Sequence, residues 1–221
     1  MWTFEVQDGG ATFVARLEAP ERTVLLDVID DVLGLLGGYE DDPRTVAPAP
    51  AAPLHREPDP LDGLVIAQGP VHTPGDPALL RLLPDASRVD PEVTAEFRRL
   101  TEADLRSTKV ANLLRLRAVV ADARPEAVVL ASEASGVAAA LTDVRLVLAE
   151  RLEVRTDEDA DQVMELATRD DVLDTEDREA MVARFLATVY VMLTVLQESL
   201  VGLMVSALPH PPERRRRRDR G

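Results

Sequence analysis

The sequence predicts a mainly α-helical protein: a single-domain helical bundle with a small N-terminal β-hairpin. Apolar residues recur every three or four positions over four long stretches, as they do on the buried face of a helix. Of the 221 residues, 46% are hydrophobic but only 3% are aromatic, so the core is built from Leu, Val and Ala. A chain of this length with long, interlocking helices favours one domain, which we place at residues 1–208.

The hairpin is predicted over residues 2–18. Apolar and polar residues alternate in the runs 2–6 and 13–17, and Asp8-Gly9-Gly10 stands between them as a turn. An isolated two-stranded hairpin is only marginally stable in water. We therefore expect this hairpin to pack on the helices.

The first helix is predicted to begin at Pro20, where the missing N–H of proline costs nothing, and to end at Gly37-Gly38. The composition then changes, because eight of the 16 prolines lie between Glu40 and Gly75. Such a stretch predicts a Pro-rich flexible linker within the domain, at residues 40–75, in which Leu64-Val65-Ile66 is a candidate short strand.

Later helices are predicted from their first residues. Asp76-Pro77 caps a brief helix that ends near Leu83, and Asp90-Pro91 begins a long helix that extends to Ala123. Further helices are predicted at residues 137–154, 157–169 and 175–208. The segment VVLASEASG, which follows Arg124-Pro125, has no periodicity that decides its structure.

The last helix is apolar and about as long as a membrane-spanning helix. Gln197-Glu198-Ser199 lies just past its midpoint, where a carboxylate is costly in a bilayer, and an arginine-rich sequence follows it. These features favour a helix buried on all sides at the centre of the bundle over a membrane span.

Charge is distributed unevenly along the chain. The net charge is −15, yet six of the 25 basic residues lie in the last eight positions, so the chain before Glu213 has 19 basic and 38 acidic residues. An acidic body repels nucleic acid, which makes nucleic acid an unlikely partner in this interpretation. Residues 209–221 are predicted to be a disordered, solvated tail; contacts with RNA, anionic lipid or the protein's own acidic surface remain alternatives.

Several kinds of chemistry lack the residues that they need. The absence of cysteine excludes disulfides, thiolate metal sites and a cysteine nucleophile. The three histidines, His55, His72 and His210, lie in the predicted linker and tail without acidic residues at ligand spacing, so no metal site is expected. No phosphate-binding glycine loop or nucleophile elbow is present. The first residues do not resemble a signal peptide, which predicts a cytoplasmic protein.

Polar residues interrupt an apolar face of the long helix. The only lysine, Lys109, and Asn112 share a helical stripe with Leu105 and Leu116. Polar groups on a buried face need partners, so the stripe marks either a structural polar network or a ligand or partner site. We expect Asp143 to pair with Lys109 if the two helices pack antiparallel. Candidate residues from this argument are Asp104, Arg106, Lys109, Asn112, Asp143 and Arg145.

Two more candidates lie in the last helix. Gln197 and Glu198 are polar residues within an apolar stretch. A carboxylate in such a place is best explained by a basic residue across a helix contact. We therefore predict that both residues face Arg106, Arg145 or Lys109.

Four stretches of the chain, taken together and in order, resemble a known family. They are DPALLRLLPDA (76–86), EFRRLTEADLRSTKVANL (96–113), LTDVRLVLAERLEV (141–154) and VYVMLTVLQESLVGLM (189–204). They are similar to an actinobacterial family catalogued as domain of unknown function two-thousand-seventeen. The polar motif residues that the resemblance implies are Arg98, Glu102, Arg106, Lys109, Asp143, Arg145, Gln197 and Glu198.

The resemblance implies a role but no activity. Genes of the family commonly sit beside that of the ClpS adaptor of the Clp protease, and near sulfur-carrier and metalloprotease genes. We therefore expect a cytoplasmic accessory, adaptor or regulatory protein that acts through protein–protein contacts, without cofactor or catalytic activity; a homo-oligomer is also open. The alternatives are a nucleic-acid-associated regulator that uses the arginine-rich tail, and a small-molecule binder or enzyme that uses Arg106, Lys109 and Asp143.

Overall fold

The computed structural model describes residues 2–37, 74–87, 89–169 and 177–208. In this part of the chain the protein is mainly helical with a small antiparallel sheet, which confirms the predicted fold class. The elements in chain order are β1 (Glu5–Gln7), β2 (Thr12–Arg16), α1 (Ala19–Leu35), α2 (Pro77–Leu82), α3 (Pro91–Asp122), β3 (Glu126–Leu130), α4 (Ala134–Arg151), α5 (Asp157–Thr168) and α6 (Arg178–Ser206).

The predicted hairpin is confirmed, and a third strand supports it. β1 and β2 pair antiparallel across a turn at Asp8–Gly10, and β3 pairs antiparallel with β2, with Phe13 opposite Val129. Ala127 and Val129 are buried, whereas their neighbours along β3 are exposed. β3 is part of the segment whose structure the sequence left open, and it gives the hairpin the partner strand that it needs.

α2 and α3 begin where their capping residues predict, whereas α4 begins at Ala134, three residues before the predicted start at Val137. The carboxylate of Asp76 accepts a hydrogen bond from the backbone N–H of Ala78, and that of Asp90 accepts from Glu92 and Val93. α6 begins at Arg178 with Asp177 as its N-cap; the predicted first residue, Thr175, lies outside the described residues. Side-chain acceptors satisfy the free N–H groups of a first helical turn, which is why these starting points are readable from sequence.

The central helix is α4, and the prediction that α6 is buried on all sides is wrong. α4 packs against α1, α2, α3 and α6, and its buried residues lie on several faces. α6 packs against α4, α5 and β1, which leaves one side uncovered. α6 is long and apolar enough to cross a membrane by length and composition, and 33% of its most apolar stretch is buried in the fold.

Two predicted segments lie largely outside the described residues. They are the linker at 40–75, of which only Pro74 and Gly75 are described, and the tail at 209–221. The candidate strand at residues 64–66 falls in the first of them. These assignments stay predictions.

Candidate functional site

The polar stripe of α3 faces α4, and the two helices run antiparallel. Lys109 contacts Asp143 while Arg115, further along α3, contacts Glu133 at the start of α4. Between these pairs the helices approach closely at Gly136, where a Cβ atom would lie 2.8 Å from the Oδ1 atom of Asn112. A glycine at this point allows the polar side chains of α3 to lie directly against α4.

Lys109 and Asp143 form the predicted ion pair. The Lys109 Nζ atom lies 2.5 Å from the Asp143 Oδ1 atom, and the side chains are 17% and 6% exposed. Burial raises the pKa of Asp143, and the hydrogen bond and positive charge of Lys109 oppose that rise without cancelling it. The pair thus joins α3 to α4 at the cost of removing a carboxylate from water.

Arg98 lies at the centre of a second polar contact. Its guanidinium donates to the Glu102 Oε2 atom, the Asp85 Oδ1 atom and the Leu83 carbonyl, each at 2.8 Å, and the side chain is 3% exposed. Burial alone would lower the pKa of Arg98, but hydrogen bonds to Asp85 and Glu102 outweigh it and hold the pKa above its ordinary value. The guanidinium is thus a permanently charged link between α3 and the end of α2.

Arg106, about two helical turns after Arg98 on α3, has a similar set of contacts. It donates to the other oxygen of Glu102 at 2.9 Å and to the Leu36 carbonyl at 3.0 Å. Glu102 therefore orients two arginines, and each arginine binds a carbonyl at the end of another helix: Leu83 after α2 and Leu36 after α1. Terminal carbonyls lack partners within their own helix and attract cations, so the arrangement caps both helices.

The space beside this contact is too small for a ligand. The cavity that Arg98, Glu102 and Leu83 help to line has a volume of about 10 Å³. This is about the space of a single water molecule. We therefore interpret Arg98, Glu102 and Arg106 as residues that hold helices together.

Arg145 and Gln197 form a third contact, between α4 and α6. The Gln197 Oε1 atom accepts from the Arg145 Nη1 atom at 2.6 Å, and the Gln197 Nε2 atom donates to the Thr142 Oγ1 atom at 2.7 Å. The Arg145 guanidinium carbon lies 5.2 Å from the centre of the Tyr190 ring, and its buried Nε atom has no hydrogen-bond partner. Among the described residues no carboxylate pairs with Arg145.

Two predicted members of the network lie apart from it. Glu198 is exposed and forms no ion pair within the described residues, so the prediction that it faces a basic residue is wrong. Its neighbours in sequence turn inward: Gln197 towards α4, and Ser199 towards β1, where its hydroxyl accepts from the Phe4 N–H at 2.9 Å. Asp104 is exposed as well and is not part of the Lys109 contact.

An open cleft lies elsewhere, at the junction of the end of α4 with α5 and α6. Its volume is about 920 Å³. Apolar side chains line it, among them Val163 and Leu166 from α5 and Val182 and Leu186 from α6. Sequence reasoning missed this cleft because its residues have the same spacing as ordinary core positions.

Acidic residues surround the cleft. Glu153, Asp159 and Glu179 line it together with Arg151 and Arg178, and α5 carries five acidic residues and no basic one. Hydrogen bonds from the backbone N–H groups of Arg155 and Thr156 lower the pKa of Asp159, which keeps that carboxylate charged. The cleft therefore combines apolar lining residues with a small excess of negative charge, next to the acidic helix α5.

The position of α5 depends on Glu150. This carboxylate, 9% exposed, binds Arg81 of α2 at 2.8 Å and also binds Arg155, which precedes α5. Hydrogen bonds from Arg155 and Arg81 lower the pKa of Glu150 to about 2. The described residues contain no group of three or more His, Asp or Glu that is placed to hold a metal ion, and the three histidines lie outside them.

Comparison with protein families identifies the chain. The family model of the domain of unknown function DUF2017 matches residues 1–204. The chain belongs to the DUF2017 family. The match includes the N-terminal hairpin and so extends beyond the four stretches that carry the sequence resemblance. Comparisons with curated proteins and with solved structures gave no match.

Proposed function

We propose that this DUF2017 protein is a cytoplasmic accessory or regulatory protein that binds a partner protein through the cleft between α4, α5 and α6 and has no catalytic turnover of its own. The observation that carries the proposal is the cleft itself. It is an open, partly apolar cleft, whereas Lys109, Arg98 and Arg106 in the interior already have partners within the chain.

The dimensions and chemistry of the cleft favour a protein segment as the ligand. A protein–protein contact typically has an apolar centre and a polar rim. The cleft offers apolar side chains such as Val182 and Leu186, and charged ones such as Glu153 and Glu179. The excess of negative charge on α5 favours a partner segment that carries basic residues beside its apolar anchors. The occupant we propose is an amphipathic, basic segment of another protein.

The interior polar residues support the absence of turnover. General acid–base catalysis needs a group that touches the substrate. Lys109 is bound to Asp143, and Arg98 and Arg106 are bound to carbonyls that end helices. These residues act as links between helices in this proposal. The gene neighbourhood that the family resemblance implies makes components of Clp-type proteolysis the first partners to test.

The test is affinity purification of the full-length protein from its native host with two matched variants. Val182→Asp places a charge inside the cleft, and Leu100→Asp places the same charge on the first half of α3; the two side chains are 49% and 53% exposed. We expect one protein to be recovered with the wild type and with Leu100→Asp, and to be lost with Val182→Asp. A photo-crosslinking residue at position 182 should attach to that same protein.

Two outcomes contradict the proposal. Recovery of the partner with Val182→Asp at wild-type yield means that the cleft is not the contact. A metabolite that co-purifies with the wild type and disappears in Lys109→Met means that the polar residues form a small-molecule site, and the non-enzymatic interpretation is then abandoned. Circular dichroism of each variant establishes that the fold is intact.

A further inference from the structure

Arg145 is a half-buried cation without a counter-charge among the described residues. Arg98 and Lys109, which are also withdrawn from solvent, each contact a carboxylate. Arg145 instead contacts neutral groups, which are the amide of Gln197 and the ring and hydroxyl of Tyr190. A charge that is removed from water usually has a partner of opposite sign, so this arrangement needs an explanation.

One edge of the Arg145 guanidinium lacks a good hydrogen-bond acceptor. All three nitrogens of a guanidinium are donors. The Gln197 Oε1 atom accepts from Nη1 at 2.6 Å, but the Tyr190 hydroxyl lies 3.4 Å from Nη2, which is too long for a strong hydrogen bond. Nε is the one buried side-chain nitrogen or oxygen of the described residues that has no partner. The edge formed by Nε and Nη2 therefore has a single weak contact.

Neutral neighbours hold the rest of the guanidinium in place. Gln197 is itself oriented, because its Nε2 atom donates to the Thr142 Oγ1 atom at 2.7 Å and Thr142 donates to the Ala138 carbonyl at 2.9 Å. The Tyr190 ring, 5.2 Å from the guanidinium carbon, stabilises the cation without neutralising it. The side chains of Arg145, Tyr190 and Gln197 are only partly buried, so a small solute can approach them.

We infer that Arg145, supported by Tyr190 and Gln197, is a binding site for one carboxylate or phosphate group. Two oxygens of such a group accept from Nε and Nη2 in the planar, bidentate arrangement that arginine forms with oxoanions. The oxoanion replaces the long contact with the Tyr190 hydroxyl and gives the buried Nε atom an acceptor. Binding therefore satisfies the charge and the buried donor together.

A water molecule alone does not complete this arrangement. Water gives Nε an acceptor, but it leaves the positive charge of Arg145 without a counter-charge. The chain has 40 acidic and 25 basic residues, so carboxylates are abundant, yet none of those described pairs with Arg145. The uncompensated charge therefore favours an anion from outside the chain.

This site is separate from the cleft between α4, α5 and α6. Leu186 lines the cleft, and Tyr190 follows it by one turn of α6. Arg145, Tyr190 and Gln197 are not among the residues that line the cleft. The inference therefore goes beyond the proposed function and does not depend on it.

The experiment is a titration of the isotope-labelled, full-length protein with inorganic phosphate and, separately, with acetate, at an ionic strength held constant with sodium chloride. Nuclear magnetic resonance signals of the arginine Nε–H groups report on each guanidinium by itself. We expect the Arg145 signal to shift saturably, with a dissociation constant on the order of 1 mM. The Arg98 signal should stay in place, because its guanidinium already binds Asp85 and Glu102.

Three variants separate binding from a purely structural role, with affinity measured from backbone amide shifts around position 145. Arg145→Lys keeps the charge but loses the planar donor edge, and it should weaken phosphate binding at least about tenfold. Tyr190→Phe keeps the ring and removes the hydroxyl that competes for Nη2, so it should bind phosphate at least as tightly as the wild type. Arg99→Gln removes an exposed arginine that pairs with Glu96, and it should leave the affinity unchanged.

The inference is overturned if the Arg145 signal does not shift with either anion up to about 100 mM, since a water molecule then suffices. Equal shifts of Arg145 and of the exposed Arg99 also overturn it, because they indicate a general ionic effect. These outcomes are read from the wild type and do not depend on the folding of a variant. Tighter binding of phosphate than of acetate identifies a phosphorylated small molecule as the source, and tighter binding of a short glutamate peptide identifies an acidic side chain. Val182→Asp should not change any of these titrations, so their result is distinguishable from the test of the cleft.

Discussion

Two polar contacts on α3, centred on Glu102 and on Lys109, lie about two helical turns apart and balance their buried charge in different ways. At the first, Glu102 holds two arginines, and each of these also binds a fixed backbone carbonyl. At the second, Lys109 pairs with the single carboxylate of Asp143. Burial raises the pKa of this carboxylate above its ordinary value. The comparison teaches that the contribution of a buried polar residue to the stability of the fold depends on how many fixed hydrogen-bond acceptors surround it.

Breaking the first contact, around Glu102, should lower the free energy of unfolding more than breaking the second. Arg98→Ala removes four hydrogen bonds, leaves Asp85 and the Leu83 carbonyl without this donor, and leaves Glu102 with Arg106 alone. Removing one partner of a buried ion pair typically costs about 3–5 kcal/mol of unfolding free energy. Denaturant unfolding should give a loss in this range for Arg98→Ala.

The control is Arg99→Ala, which removes an exposed pair with Glu96 and should cost less than about 0.5 kcal/mol. Arg98→Lys should restore little, because one ammonium group cannot reproduce the planar geometry of a guanidinium. A loss for Arg98→Ala no greater than that for Arg99→Ala contradicts the proposed capping of α2.

The second contact should be replaceable. Lys109→Met leaves Asp143 buried without a partner, and we expect a loss of about 3 kcal/mol at neutral pH. The double variant Lys109→Met/Asp143→Leu removes both charges and should lie within about 1 kcal/mol of the wild type. A double variant as unstable as the single one contradicts this interpretation of the pair.

The loss in Lys109→Met should also depend on pH. In the wild type the pKa of Asp143 is already above its ordinary value, and Lys109 is the group that opposes the rise. Without Lys109 the pKa rises further, so folding favours the protonated carboxyl. The stability of the variant should therefore be greatest at acidic pH and fall as the pH rises through the folded-state pKa. Thermal unfolding from about pH 4, close to the ordinary pKa of the carboxyl, up to neutral pH measures this.

Two adjacent residues of α6, Gln197 and Glu198, should differ in how much their substitution lowers the stability of the fold. Gln197→Leu removes both hydrogen bonds of the Gln197 side chain, to Arg145 and to Thr142, and it should cost about 1–3 kcal/mol. Glu198→Ala changes an exposed side chain and should stay within about 0.5 kcal/mol of the wild type. Equal losses of unfolding free energy in the two variants would contradict the assignment of Gln197 to the face of α6 that packs on α4.

The smallest expected effect is on how the stability of the protein falls at acidic pH, and it depends on Glu150. The pKa of Glu150 falls from 4.5 to about 2 on folding, so its contribution to stability is present above pH 4.5 and is lost as the pH falls towards 2. Glu150→Gln should therefore reduce the decline of the melting temperature between these values. Glu165→Gln, on the exposed side of α5, is the control and should leave that decline unchanged. An unaltered decline in Glu150→Gln contradicts the assigned cause.

The parts of the fold that the sequence predicts are those fixed by local chemistry. Asp76 and Asp90 identify the starts of their helices because capping is a contact between near neighbours. The pairing of Lys109 with Asp143 was predictable since each is a polar residue on an otherwise apolar face. β3 was not, because five residues beside an alanine-rich helix start give too short a pattern.

The candidate site was only partly predictable, for geometric reasons. Successive helical residues point about 100° apart. The run Gln197-Glu198-Ser199 therefore cannot all face one neighbour, and periodicity does not say which residue faces out. The cleft depends on how α4, α5 and α6 are placed relative to one another. Val163 and Val182, which line it, have no feature in the sequence that separates them from core residues.

The paired arginines on either side of Glu102 have a consequence for protein engineering. Leu36, bound by Arg106, is near the point where the described chain stops at Gly37, and Leu83, bound by Arg98, ends the helix that follows Pro74. The C-terminal ends of α1 and α2, the helices on either side of residues 38–73, are thus both connected through an arginine to one carboxylate on α3. Doubling the length of a flexible linker, such as the one that the sequence predicts at residues 40–75, costs only about 0.6 kcal/mol. A fluorescent protein or an epitope inserted there should therefore leave the described helices in place. This position is where a reporter belongs when the protein is followed in cells.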